Sequence, residues 1–206
     1  MLLKRVHLHQ GDLPEGLDLG PVVAVDSETM GLNPHRDRLC LVQLSKGDGV
    51  CHLVQIARNG GPAPRLAALL ASPKVLKLLH FARFDVAMFR QHLGVLTRPI
   101  YCTKTASRLV RKMTDRHGLK DLAKELLGAD ISKQQQTSDW GAETLTEEQK
   151  TYAASDVLHL HELKEKLDAL LVREGRVDLA RACFEFIPHR AELDLAGWAE
   201  DDIFAH

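Results

Sequence analysis

The sequence predicts an α/β domain with a helical C-terminal part, and three observations support this fold class. Apolar runs separated by turn residues follow residue 21, strand and helix patterns then alternate, and the second half of the chain shows helical spacing. Alternating strands and helices are typical of a sheet flanked by helices. The length of 206 residues fits one domain, residues 1–206.

The first predicted elements are three strands. They are VVAVDSE (Val22 to Glu28), RLCLVQLS (Arg38 to Ser45) and GVCHLV (Gly49 to Val54). Asn33-Pro34 and Gly47-Asp48-Gly49 supply turn residues between them. Connections this short predict an antiparallel meander.

Helices and a further strand follow the meander. PRLAALLAS has helical apolar spacing with Pro64 near its start, and VLKLLH from Val75 to His80 is an apolar strand. FDVAMFRQHLG has its apolar residues on one helical face and ends in Gly94.

The second half predicts mainly helices. Thr146, with Gln149 three residues later, is typical of a capping box at a helix start. The predicted segments are amphipathic stretches from Lys104 to Met113 and from Leu119 to Leu127, a polar loop ISKQQQTSDWG, a long helix from about Thr146 to Glu174, and one further helix with an acidic tail from Arg176 to His206.

Composition excludes several classes of protein. A net charge of −1 provides no global positive field for long nucleic acid. The opening MLLKRVHLHQ lacks the apolar core of a signal peptide, and no apolar run approaches the roughly 18 residues that span a bilayer, so we expect no membrane association and a cytoplasmic location. The four cysteines lie far apart, which favours reduced thiols.

Asp26 and Glu28 stand two residues apart at the end of an apolar strand, so both side chains point to the same face. Two crowded carboxylates favour a hard divalent cation with oxygen ligands. The alternative is a solvated strand end. The turn that follows, Met30-Gly31-Leu32, brings backbone N–H groups beside the acids.

Two further positions carry candidate carboxylates. Asp85 begins a helix after a strand, where α/β sheets bind ligands, although an acid there is also a favourable partner of the helix dipole. Tyr152 and Asp156 are four residues apart and share a helix face, which fits either a metal ligand with a water-binding phenol or a structural pair. His80, at a strand end, has the same ambiguity.

Taken together, VDSETMGL, KLLHFARFD and YAASD resemble, in order and spacing, the three motifs of the DEDD superfamily of 3′-to-5′ exonucleases, tyrosine subtype, with the ribonuclease D family as nearest relatives. The resemblance covers about residues 22–163. It implies an RNase H-like fold with a mixed central sheet. The chain departs from the pattern of ribonuclease D proteins at Phe81 and Glu143. We expect none of their additional C-terminal nucleic-acid-binding domains, so the resemblance is greatest to the compact nano-RNase C branch.

The resemblance implies two divalent cations, Mg²⁺ or Mn²⁺, held by four carboxylates, with a phenol that orients or deprotonates water. The implied metal ligands are Asp26, Glu28, Asp85 and Asp156, and the implied catalytic residues are these four with Tyr152. By motif position, Leu32 would contact a base, Phe84 would stack, and His80 would bind sugar or phosphate, beside Met30 and Gly31.

The expected function is exoribonuclease cleavage of short single-stranded RNA, with dinucleotides preferred, to 5′-mononucleotides. One alternative is a broader exonuclease activity on tRNA or rRNA 3′ ends or on DNA. A second alternative, which is not an enzyme, is an inactive nucleic-acid-binding module. The branch implies a homo-oligomer, an octamer, for which apolar residues near the end, Leu193 to Phe204, offer an interface or cover the chain's own core. A basic stretch from Lys104 to Lys124 is either a substrate contact or a solvated helix face.

Overall fold

The computed structural model describes residues 3–132 and 134–206. One sheet of six strands organises the chain, in the spatial order β1-β4-β3-β2-β5-β6. Its strands are β1 Arg5–Gln10, β2 Val22–Thr29, β3 Leu39–Ser45, β4 Val50–Gln55, β5 Leu76–Leu79 and β6 Ile100–Cys102. β2, β3 and β4 pair antiparallel as predicted, whereas β1 with β4, β2 with β5 and β5 with β6 pair parallel. The sheet is therefore mixed, which confirms the predicted fold class.

Seven α-helices flank the sheet within these residues. They are α1 Pro64–Ala71, α2 Ala82–Leu93, α3 Thr103–Val110, α4 Leu119–Leu122, α5 Glu147–Leu158, α6 Leu160–Arg173 and α7 Val177–Leu193. α4 continues into a π-helical turn, Ala123–Leu127, and a second π-helical turn, Asp194–Trp198, follows α7. α5 packs against β1 to β4, and α2 packs against β3, β6 and α7. No helix in the described part of the chain is long and apolar enough to cross a bilayer.

Several predicted boundaries are confirmed. Gly94 ends α2 with a φ of 68°, in the left-handed region that favours glycine. Thr146 and Gln149 form the predicted capping box, because the Thr146 side chain accepts from Gln149 N and the Gln149 side chain accepts from Thr146 N. The predicted loop ISKQQQTSDWG contains no helix in its described residues, and its Lys133 lies outside them.

Two helix predictions are wrong in extent. The predicted single helix from Thr146 to Glu174 is two helices that meet at His159, whose φ of −98° and ψ of −6° depart from helical values. No Gly or Pro occurs there; α5 packs on the sheet, whereas α6 packs mainly on α3, so the break follows tertiary packing. α3 ends at Val110 rather than Met113. The last predicted helix is α7, which ends at Leu193 and is followed by the second π-helical turn and the acidic tail.

Candidate active site

The end of β2 carries alternating acidic and hydroxyl side chains. Asp26 and Glu28 point to one face, and Ser27 between them donates a 2.5 Å hydrogen bond from Oγ to Asp85 Oδ1. The pairing with β3 shifts register between Glu28 and Thr29. A bulge of this kind re-aims side chains at a strand end, so β2 presents its acids where the chain turns away.

Helix α5 brings Asp156 and Tyr152 to these acids. Its capping residue Gln149 also donates through Nε2 to Ser138 Oγ at 2.7 Å and to Asp139 O at 3.1 Å, which ties the preceding loop to the helix start. Tyr152 and Asp156 lie one turn apart, and the Tyr152 hydroxyl partly offsets the burial that raises the pKa of Asp156.

Three carboxylates converge at this point. Asp26, Glu28 and Asp156 each offer one oxygen, and the three oxygens lie within 4.8 Å of one another. No other group of three His, Cys, Asp or Glu residues in the described part of the chain meets this criterion. Oxygen ligands at such spacing suit a hard divalent cation such as Mg²⁺ or Mn²⁺.

The protonation of these acids supports the same conclusion. Burial, followed by the neighbouring carboxylates, raises the pKa of Asp26 well above its usual range and that of Glu28 to about 9. Burial raises the pKa of Asp85 and of Asp156 to about 7. Crowded, desolvated carboxylates hold protons unless a cation replaces them, so this donor set fits divalent metal.

Asp85 lies beside the carboxylate trio rather than within it. Its side chain is 3% exposed, in the first turn of α2, and its partner is the Ser27 hydroxyl. It raises the pKa of Asp26 and Glu28 through its charge. The structure thus brings all four predicted acids into one electrostatic cluster.

Gln43 is a site residue that the sequence analysis missed. It lies opposite Asp26 in the β2–β3 pairing, is fully buried, and donates through Nε2 to Glu28 Oε1 at 3.2 Å and to Asp26 Oδ2 at 3.5 Å. Its Oε1 has no partner among the described residues. A polar residue in the apolar run RLCLVQLS was the available signal.

A cavity of about 680 Å³ opens over the carboxylates. The predicted substrate residues all line it, namely Met30, Gly31, Leu32, His80 and Phe84. Leu32 is 83% exposed and Met30 51% exposed, so the turn after β2 presents apolar side chains to whatever enters.

Close packing fixes this turn. A Cβ at Gly31 would overlap the Asp37 carboxylate, which accepts a 2.9 Å hydrogen bond from Asn33 N. A Cβ at Gly141, in the loop before α5, would overlap the Met30 sulfur. The two glycines therefore let the turn and the loop approach each other at the cavity.

His80 is held as a neutral imidazole of one tautomer. Burial, with a contribution from Lys104, lowers the pKa of His80 to about 3. Thr103 Oγ1 donates its hydrogen to Leu79 O, so it accepts from His80 Nδ1 at 2.9 Å. His80 Nε2 is then an acceptor.

Aromatic and basic residues complete the cavity. The sequence analysis assigned no site role to Phe81 or Trp140, whereas it gave the basic stretch from Lys104 to Lys124 as either a substrate contact or a solvated helix face. Phe81 has a φ of 64°, is 45% exposed, and carries Lys104 Nζ 4.1 Å above its ring. Trp140 packs against Tyr152 with ring centroids 5.9 Å apart. Lys104 and Lys120 are the members of the basic stretch that line the cavity. Arg111, by contrast, pairs with Glu125.

Comparison with known proteins agrees with this site. The sequence profile of a 3′-5′ exonuclease family matches residues 12–171, and the chain therefore belongs to that family. Among curated relatives, the ribonuclease D of Gluconacetobacter diazotrophicus is 38% identical over 164 residues, which are 80% of this chain and 41% of the relative. The chain thus spans about two fifths of the length of the curated relatives it matches. The predicted kinship with ribonuclease D is confirmed.

Solved structures give a closer match over the whole length. Brucella melitensis NrnC with bound Mg²⁺ is 50% identical with a TM-score of 0.95, covering 98% of this chain and 100% of that one. NrnC bound to pGG is 52% identical with a TM-score of 0.94, covering 98% of each chain. Escherichia coli RNase D, an exoribonuclease involved in structured RNA processing, is 26% identical with a TM-score of 0.72, covering 83% of this chain and 45% of that one.

Proposed function

We propose that this chain is a divalent-metal-dependent 3′–5′ exoribonuclease that hydrolyses short RNA, preferentially dinucleotides, to 5′-mononucleotides. The observation that carries the proposal is the carboxylate trio Asp26, Glu28 and Asp156 beside a cavity of limited volume. About 680 Å³ lies within the roughly 300–1,000 Å³ of pockets that enclose small ligands. The likeness to NrnC, which binds pGG, supports a short substrate.

The residues divide the chemistry among them. Asp26, Glu28, Asp156 and, beside them, Asp85 would hold two divalent cations, Mg²⁺ or Mn²⁺. When bound, the cations supply Lewis-acid activation of water and stabilise negative charge on phosphate oxygens. Burial and the neighbouring acids raise the pKa of Tyr152, so its phenol stays protonated at neutral pH and acts as a hydrogen-bond donor that orients water.

Substrate recognition falls to the cavity lining. Leu32 and Phe84 would pack against bases, with Met30 and Gly31 beside them. His80 Nε2, as an acceptor, would receive a hydrogen bond from a ribose hydroxyl rather than bind phosphate. Lys104 and Lys120 are the basic residues positioned in the lining to neutralise phosphate.

A homo-oligomer, in octameric form, belongs to the same proposal. Trp198, Ile203 and Phe204 are 46%, 44% and 78% exposed, whereas Leu195 packs partly against the core. Exposed apolar side chains clustered near one end of a chain favour burial against another copy. Light scattering tests this proposal, and a monomer at micromolar concentration would contradict it.

A cytoplasmic location is also proposed, because the four cysteines are free thiols.

A length series tests the proposed activity. Purified protein with Mn²⁺ is given 5′-labelled RNAs of two to twenty nucleotides, with DNA of matched sequence and the Asp26→Asn variant as controls. We expect turnover to be highest for the dinucleotide. A rate that stays flat or rises with length would favour the broader ribonuclease D-like activity on tRNA or rRNA ends, and equal rates on DNA would remove the RNA preference. Release that is absent from every substrate would favour an inactive binding module.

A further inference from the structure

Three histidines lie together at the β1 edge of the sheet, away from the carboxylates. His7 and His9 are two residues apart on β1, and His52 on β4 is directly opposite His7. In the pairing of β4 with β3, His52 aligns with Leu44, whereas Gln43, the partner of Asp26, aligns with Leu53. Since side chains alternate along a strand, the three imidazoles occupy the sheet face opposite Asp26.

The three rings form a stack. The centroid of the His52 ring lies 5.1 Å from that of His7 and 5.3 Å from that of His9, and the rings are within 16° of parallel. His9 Nε2 and His52 Nδ1 are 3.0 Å apart. Two nitrogens bound to one tetrahedral zinc ion at about 2.0–2.1 Å are roughly 3.3 Å apart, so this pair is already close to ligand spacing.

All three side chains are half-buried. Burial, with the proximity of His9 and His7, lowers the pKa of His52 to about 4, and burial also lowers the pKa of His9. Nearby Asp48 raises the pKa of His52 and Lys46 lowers it. These two residues also form an ion pair, with 3.5 Å between Lys46 Nζ and Asp48 Oδ2. The lowered pKa values keep the His9 and His52 imidazoles neutral at pH 7, which is the form that binds metal.

We propose that His7, His9 and His52 form a second metal site, selective for a borderline cation such as Zn²⁺ and separate from the carboxylate cluster. His9 and His52 would bind first, after the hydrogen between them moves to the other nitrogen of its ring, so the rings lose no proton. A side-chain rotation would bring His7, whose ring centroid lies 5.1 Å from that of His52, to the same ion, and water would fill the fourth position. Nitrogen ligands prefer zinc, whereas the carboxylate oxygens prefer Mg²⁺ or Mn²⁺, so the two sites select different cations. Bound zinc would stabilise the pairing of the edge strand β1 with β4.

Calorimetric titration with Zn²⁺, in excess Mg²⁺, tests this proposal. We expect one zinc equivalent in the wild-type protein and in Asp26→Asn. His9→Gln and His52→Gln should each weaken it by at least about tenfold, since even outer-sphere partners of a metal site contribute 10–100-fold. His189→Gln, which removes an exposed imidazole on α7, is the matched control and should bind as wild type.

Nuclease turnover in Mg²⁺ shows whether each histidine variant folds. One folded variant, either His9→Gln or His52→Gln, is enough for the test. Zinc binding that persists in both variants but disappears in Asp26→Asn would assign the ion to the carboxylates and overturn the proposal. The absence of any zinc equivalent beyond the carboxylate site in the wild-type protein would do the same.

Discussion

Two clusters of like side chains lie on opposite faces of one sheet, and they respond to crowding in opposite ways. The carboxylates of Asp26, Glu28 and Asp156 crowd at the end of β2, where burial raises their pKa values and repulsion by neighbouring acids raises those of Asp26 and Glu28 further. The imidazoles of His9 and His52 crowd between β1 and β4, where the same forces lower their pKa values. Both clusters thus favour the uncharged form, but the acids gain protons and the histidines lose them.

This difference determines what each cluster can bind at neutral pH. The carboxylates must exchange protons for a cation, whereas the imidazoles already offer free electron pairs. Perturbed pKa values of this kind mark functional sites when they coincide with a cavity, and the carboxylate cluster borders one of about 680 Å³. The following predictions test the contrast.

The largest effect is expected from Asp26→Asn. Removal of this carboxylate takes away a metal ligand, and metal ions contribute several kcal/mol to such reactions, which corresponds to a loss of roughly a thousandfold or more in turnover. Release of 5′-nucleotide from a dinucleotide in Mn²⁺ measures it. His52→Gln, on the other sheet face, is the control and should keep wild-type turnover. Comparable losses in both variants would mean that the two clusters are not independent.

The two clusters should also differ in pH dependence. Asp85 and Asp156, with pKa values of about 7, and Glu28, with a pKa of about 9, bind protons that a cation must displace. Raising the pH from 6 to 9 removes these protons, so Mn²⁺ affinity at the carboxylates should rise, by about a hundredfold if two protons are displaced over part of this range. Zn²⁺ affinity at the histidines should stay nearly flat, because the pKa of His52 is lowered to about 4. Calorimetry in buffers of different ionisation enthalpy counts the protons, and a flat Mn²⁺ profile would contradict the raised carboxyl pKa values.

Tyr152→Phe separates positioning of water from metal binding. The variant keeps the ring packed against Trp140 but removes the hydroxyl, so we expect turnover to fall by about a hundredfold, as for loss of one positioned hydrogen-bond donor at a reacting centre. Mn²⁺ affinity should change little. If affinity and turnover fell together, Tyr152 would act through Asp156 rather than on water.

Gln43→Leu should have the smallest effect. The substitution removes the donor to Glu28 and Asp26 and places an apolar side chain of similar size in a buried strand. Loss of such a supporting contact weakens metal binding by about tenfold. Gln10→Leu is the matched control, because Gln10 bonds only its neighbour Gln55 among the side-chain contacts described, and Mn²⁺ affinity should not change. An unaltered affinity in Gln43→Leu would show that the acids orient themselves without it.

The clustering of the acids was predictable in part because they sit in local patterns. Asp26 and Glu28 follow strand alternation, and Tyr152 and Asp156 follow helix spacing, so their shared faces could be read without a fold. The convergence of the three segments was predicted from the family resemblance rather than from periodicity. The structure brings them together through the parallel pairing of β2 with β5 and the packing of α5 on the sheet.

The missed features depend on contacts between distant segments. β1 alternates histidine with apolar residues, but only its parallel pairing with β4 makes it a strand. β6 has three residues, too few for a pattern. Gln43 gains its meaning from the residue opposite it on β2, and the break at His159 arises because α5 and α6 pack on different partners. Each depends on tertiary context that local propensity does not contain.

Anomalous X-ray diffraction from crystals soaked in Mn²⁺ at pH 8 tests most directly whether the carboxylate cluster is a metal site. We expect manganese peaks bound by Asp26, Glu28 and Asp156, and their loss in Asp26→Asn crystals. Manganese found only at other side chains, or at this cluster undiminished in the variant, would contradict it.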